Sequence, residues 1–209
     1  MVLTKKEILE RIKKGELSFD PPLDKFQLQP HSVDLRLGFT FLVPKTWQMT
    51  GNGRVGLHVD YAESRSHFDV IGLEEGQYFE ILPREFVVVS TLEKIKLPSD
   101  LMGILYPRSS INRRGLSVDL SGIIDSRYEG NLVIPVRNNT STQVIRVYPG
   151  ERFCQVVFYP LASRPKGAKS RYQYKDIVVG VLKERSAKEM RLIKKGNIRE
   201  LKRLYKLDY

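Results

Sequence analysis

Three short segments carry residue types that could bind a phosphorylated ligand and move a proton. Residues 107–116, PRSSINRRGL, bring Arg108, Ser109, Ser110, Arg113 and Arg114 together. The planar fork of arginine matches phosphate oxygens two at a time, and serine hydroxyls add hydrogen bonds to the same oxygens. A merely solvated basic turn has the same composition, so this segment alone leaves phosphate binding open. Residues 121–131, SGIIDSRYEGN, place Asp125 after two β-branched aliphatics and before a turn ending in Gly130 and Asn131. A poorly solvated carboxylate can orient and deprotonate water, and Tyr128 could present a flat ring beside it. The competing reading is a β-hairpin whose aspartate closes an Asx-turn. Residues 148–158, YPGERFCQVVF, set Gly150 and Arg152 at a turn. Gln155 then interrupts an apolar strand, and its amide must find a partner in a backbone or a ligand.

Positioning these groups falls to short strands. The runs SVDLRLGFTFLV, QYFEILP, EFVVVSTLEKI, NLVIPVRN, TQVIRVYP and RFCQVVFYPL are rich in Val, Ile, Phe and Tyr, with Gly, Pro, Asn and Asp between them. Many short strands with such turns predict a mainly β sandwich or jelly roll rather than alternating β-α units. A helix is predicted over residues 4–16, opened by a Thr4/Glu7 capping box and weakened by Gly15. Residues 50–67 are polar and read as a loop inserted on the scaffold. From residue 187 helical periodicity returns through Met190, Ile193, Ile198, Leu201, Leu204 and Tyr205, with Gly196-Asn197 dividing two short helices.

The chain has 209 residues, 41% of them hydrophobic, enough for one packed domain plus a small appendage. Its net charge of +11 is uneven: residues 164–209 hold fifteen Lys or Arg against five Asp or Glu. The expected division is therefore a near-neutral β domain over 1–163 and a basic tail over 164–209. A near-neutral body does not resemble a nucleic-acid-binding face, so nucleic acid is not expected as a partner. The tail is read as helix packed on the body with a solvated basic face. No apolar stretch approaches the ~20 residues of a membrane span, and the charged N-terminus does not read as a secretory signal. Cys154 has no cysteine to pair with, and His31, His58 and His67 are scattered, which argues against a structural zinc site.

The segments PRSS, GIIDSRYEGN and PGERFCQ, in that order, together with PHSVDLRLG at 30–38, resemble the motifs of the deoxyuridine triphosphatase and deoxycytidine triphosphate deaminase superfamily. The N-terminal helix and the run LPREFVVVSTLEKIKLPSDLMG are similar to the deaminase branch. This resemblance implies a distorted jelly roll of the dUTPase-like type, a cytoplasmic enzyme, and a homotrimer whose sites are built from neighbouring subunits. It implies that Asp125 activates the attacking water and that Tyr128 packs on the deoxyribose. Arg108, Ser109 and Gln155, with Ser110 and Arg113 nearby, would bind the phosphates. The strand edge from Asp119 to Ile123 would read the pyrimidine. Mg²⁺ would be held mainly by the triphosphate and water, with Asp34 helping indirectly. Arg171, Tyr172 and Lys175 would close over the substrate in place of a glycine-rich C-terminal motif.

The two branches differ in reaction. Deaminases carry a proton-shuttling glutamate ten residues after the aspartate and an arginine two residues before it; here those positions are Pro135 and Ile123. Because proline cannot move a proton, the expectation is a dUTP diphosphatase forming dUMP and pyrophosphate. The alternative is a dCTP deaminase, or a bifunctional enzyme yielding dUTP or dUMP from dCTP, with Glu129 or Asp119 as the shuttle. Asp119 stands where triphosphatases place an asparagine, and an ionised carboxylate suits an amino group better than a carbonyl. A non-catalytic nucleotide-binding module is the third reading, opposed by the intact Asp125, Tyr128, Ser109 and Gln155.

Overall fold

The computed structural model describes residues 1–59, 67–119, 122–165 and 186–206. Alternating apolar residues build the longest strands, β2 (Val33–Pro44), β7 (Phe86–Lys96), β11 (Glu129–Asn138) and β13 (Arg152–Pro160). Shorter strands join them: β1 (Ser18–Asp20), β5 (Phe68–Gly72), β8 (Leu101–Pro107), β9 (Leu116–Val118) and β10 (Ile123–Ile124). Together they form a nine-stranded curled sheet in the order β10-β8-β13-β2-β7-β11-β9, with β1 beside β7 and β5 beside β2. Every pairing is antiparallel. A separate ribbon pairs β6 (Phe79–Ile81) with β12 (Ile145–Val147). The mainly β, jelly-roll-like architecture is the one expected.

Inward side chains of this sheet, including Leu35, Phe41, Val87, Val89, Ile134, Val136 and Phe158, form one core. Two glycines allow the strands their closest approaches. A Cβ at Gly38 would lie 2.5 Å from Ser90 Oγ and 3.0 Å from two carbonyls of β7. That is the position where the β2–β7 register shifts. A Cβ at Gly103 would press on Val156 and Ile124 at 3.0–3.1 Å.

Helix α1 (Lys5–Lys13) is shorter than the predicted 4–16. Its start is as read: the Thr4 N–H donates to Glu7 Oε2 at 2.7 Å. Its end comes early because Gly15 turns the chain at φ +69°. Ile8 fixes the helix to the core. The polar 50–67 segment is not simply a loop. Strands β3 (Trp47–Thr50) and β4 (Gly53–Gly56) form a hairpin there, and Arg54 lies 4.8 Å over the Trp47 ring. The described residues fall into two compact units. One holds 1–45 and 68–165, and the other holds 46–59, 67 and the C-terminal helices.

Glu93 on β7 is 1% exposed. Gln27 Nε2 donates to its Oε1 at 2.6 Å and the Arg36 N–H donates to Oε2 at 2.9 Å. Burial raises its pKa against those bonds. Glu93→Leu is expected to leave both donors without an acceptor and to lower the unfolding free energy by about 2–5 kcal/mol, read by urea denaturation at neutral pH.

Candidate active site

The sheet order places β2, β13 and β8 side by side, and one end of these three strands gathers the phosphate-binding candidates. Asp34 on β2 is 2% exposed. Its Oδ2 meets Arg108 Nε at 3.1 Å and Arg152 Nη1 at 3.1 Å. Arg108 also donates through Nη1 to the Arg152 carbonyl at 2.9 Å. Burial raises the Asp34 pKa, while the guanidinium groups of Arg108, Arg152 and Arg36 pull it down. Beside this cluster, Gln155 donates to the Pro107 carbonyl at 3.3 Å and accepts from Ser32 Oγ at 3.1 Å. The amide that interrupted an apolar strand thus holds the start of the PRSS segment.

After Arg108 the chain turns into the four-residue helix α2 (Ser109–Asn112). Ser109 and Arg113 are exposed and Ser110 half-buried. Arginines fixed by a shared carboxylate, next to hydroxyls at a chain reversal, have the chemistry to receive an anion. Asp34 therefore positions the two arginines, and its carboxylate is engaged by them. Among the described residues no three His, Cys, Asp or Glu side chains gather to hold a metal.

Asp125 lies elsewhere. It is exposed rather than poorly solvated, and its carbonyl accepts the Tyr128 N–H at 3.2 Å, closing a turn. The pairing of Ile124 with Gly103 sets Asp125 beyond that level of β8, whereas Arg108 lies five residues along in the other direction. At about 3.3 Å per residue the two are roughly 16 Å or more apart. One chain does not bring Asp125 to its own arginine cluster. Strand β10 ends the sheet, so one of its edges carries no strand among the described residues, and Ile123 on it is 66% exposed.

Tyr128 is not the open ring face that was expected. It is 7% exposed, packed in the core, and its hydroxyl donates to the Asn131 carbonyl at 2.7 Å. Asp119 is exposed, accepts from Ser117 Oγ at 3.0 Å, and gives its N–H to the Pro135 carbonyl at 2.9 Å. Glu129 is engaged by Lys94 at 3.1 Å and Lys96 at 3.6 Å. Arg171, Tyr172 and Lys175 lie outside the described residues. Sequence reading missed the Asp34–Arg152 pair. The only available signal was an acid in an apolar strand, which must find cations when buried.

Comparison with known proteins brings the family. The model of the dCTP deaminase-like family matches residues 2–161. A "dCTP deaminase, dUMP-forming" of Sulfurihydrogenibium sp. is 38% identical over 175 residues, 83% of this chain and 92% of that protein. The protein of the same name in Methanosphaera stadtmanae is 33% identical over 174 residues, 81% of this chain and 86% of that one. The crystal structure of a 2'-deoxycytidine 5'-triphosphate deaminase from Agrobacterium tumefaciens superposes with a TM-score of 0.56 at 23% identity, over 77% of this chain and 49% of that one, and supports the fold. These relatives overturn the expectation that dUTP diphosphatase is the main activity, because their names follow the deaminase alternative.

Burial pushes the Tyr128 hydroxyl up to about 12 from its ordinary value near 10. The folded state keeps the proton after the unfolded chain has lost it, so stability falls as pH rises from about 10 to 12, by about 2–3 kcal/mol. Tyr128→Phe is expected to remove that part of the slope, read by urea denaturation at several pH values across the window.

Proposed function

The chain belongs to the dCTP deaminase-like family, and from that premise we propose that it is an enzyme converting dCTP to dUMP. Two waters enter, and ammonia and pyrophosphate leave. The observation carrying this reading is the match to dUMP-forming deaminases over nearly the whole of their length. The arginine cluster supplies a place for the triphosphate. Arg108 and Arg152, braced on Asp34, present fixed donors, and Ser109, Ser110 and Arg113 line the exit of β8. Magnesium enters this proposal as the companion of the triphosphate.

The separation of Asp125 from the arginines requires two copies for one site. Asp125 and the β10 edge of one subunit would meet Arg108 and Ser109 of another, in a closed assembly such as the trimer that the resemblance implied. Asp125 then orients the water that attacks the phosphorus, and the free edge of β10 offers backbone groups to the pyrimidine.

Deamination also needs a group that moves a proton between water and the cytosine ring. Pro135 cannot, but Val118 and Val136 pair across β9 and β11 and are both buried. Successive residues of a strand face opposite ways, so Asp119 and Pro135, next to them, share the other face. A carboxylate therefore stands within about one cross-strand spacing, ~5 Å, of the vacant position. Glu129 lies six residues from Pro135 along β11, about 20 Å away at ~3.3 Å per residue. Asp119 is the acid suited to accept from the amino group and to carry the proton.

Incubation with dCTP and Mg²⁺ is expected to yield ammonia, dUMP and pyrophosphate in equal amounts, followed by chromatography and an ammonia assay. Formation of dCMP without ammonia would overturn the reading. Asp119→Asn is expected to lower ammonia release about 10²–10⁴-fold while the fold persists. Undiminished release would remove Asp119 from the mechanism.

A further inference from the structure

The family match ends at residue 161, yet the chain continues into a strongly basic helical pair. Helix α3 (Ala187–Lys194) opens at Ser186, whose side chain accepts the Glu189 N–H at 3.0 Å. It closes with Gly196 at φ +69°, the Gly196 N–H reaching the Ile193 carbonyl and the Asn197 N–H reaching the Leu192 carbonyl, both at 2.9 Å. That paired closure is the glycine-terminated helix end expected of Gly196. Helix α4 (Ile198–Leu204) follows and packs on α3.

Between residues 187 and 206 there are eight Lys or Arg and two Asp or Glu. All eight cations are exposed. They are ordered: Lys188, Arg191 and Lys195 follow one face of α3 and its cap, Arg199 and Lys202 follow one face of α4, and Lys206 lies just past its end. Two carboxylates against eight cations leave six positive charges in excess. Glu200 is taken by Arg203 at 2.6 Å. Among the described residues no carboxylate pairs with Arg191, Lys195, Arg199 or Lys202. In the structure the two helices pack on each other, and they belong to a compact unit other than the one carrying the arginine cluster.

We infer that this hairpin binds nucleic acid through its phosphate backbone, independently of the reaction proposed above. Rows of exposed cations at helical spacing meet repeated phosphates, and each phosphate neutralised releases condensed counterions. The apolar side chains disfavour a lipid surface. Met190 is buried, Leu192, Ile193 and Leu201 are half-buried, and of the large apolar side chains only Ile198, Leu204 and Tyr205 are exposed, a smaller apolar surface than the continuous free face an interfacial helix needs. Tyr205, 53% exposed between Lys202 and Lys206, offers a ring on which an unpaired base can stack. A basic hairpin tethered to a near-neutral enzyme would hold that enzyme near sites of nucleic-acid synthesis or turnover.

The test is fluorescence anisotropy of the full chain with a labelled single-stranded DNA of about 30 nucleotides, from about 50 to 200 mM KCl. The comparison is Arg191→Gln/Lys195→Gln/Arg199→Gln/Lys202→Gln, four exposed positions outside the proposed catalytic machinery. Wild type is expected to bind at the lower salt, and the variant at least about tenfold more weakly, with its salt slope reduced by about 3. Turnover of dCTP is expected to be the same in both, which separates failure of this inference from failure of the proposed reaction. Absence of wild-type binding, or an unchanged slope in the variant, would overturn the inference. Binding to anionic phosphatidylserine vesicles without binding to DNA would overturn it equally.

Discussion

A single buried carboxylate, Asp34, ties the three strands that carry the phosphate-binding side chains. Arg108 leaves the end of β8, Arg152 starts β13, and Asp34 sits on β2, and all three meet at one oxygen. Two guanidinium groups this close repel unless an anion lies between them, and a buried carboxylate is costly unless cations surround it. Each side of the arrangement therefore requires the other. The outcome is a pair of arginines whose orientation is set before any ligand arrives, so that little is spent on ordering them.

From this constraint follows the shape of the proposed site. The arginines occupy one end of the β8–β13–β2 group, and the antiparallel pairing of β10 with β8 carries Asp125 toward the other end. Ile123 and Asp125 are exposed, and one edge of β10 carries no strand among the described residues, which is the surface the proposed site would present to a second copy. Asp119 sits across from Pro135 on the face opposite the core, where deaminases place their glutamate. In the proposed reaction, that displaced acid would take the part of the missing glutamate.

Much of this was legible in the sequence. The strands with strong apolar alternation, such as EFVVVSTLEKI and NLVIPVRN, emerged as strands, and Thr4 with Glu7 opened the first helix. Signals weakened where alternation was absent. LMGILYP is an apolar run without period, and the WQMT/GRVG hairpin is exposed throughout its first strand, so no buried face marks it. Tyr128 could not be placed on a face from its neighbours alone, and the structure buries it. The Asp34 cluster depends on which strands lie side by side, a long-range property that no local pattern encodes. The reaction was misassigned for a related reason. Pro135 was read as the loss of a function, whereas Asp119 lies opposite it on the neighbouring strand.

The central claim, that arginine cluster and catalytic aspartate meet only across copies of the chain, is tested most directly by subunit complementation. Asp125→Asn and Arg108→Gln, each unable alone to release pyrophosphate, are mixed in equal amounts, dissociated and reassembled, and pyrophosphate release from dCTP is measured. Sites shared between neighbours in a ring restore about a quarter of wild-type activity, because one site in four then combines the intact aspartate of one subunit with the intact arginine of the next. A mixture that stays as inactive as its components, although mixed assemblies have formed, would show that both residues must come from the same chain and would contradict the account.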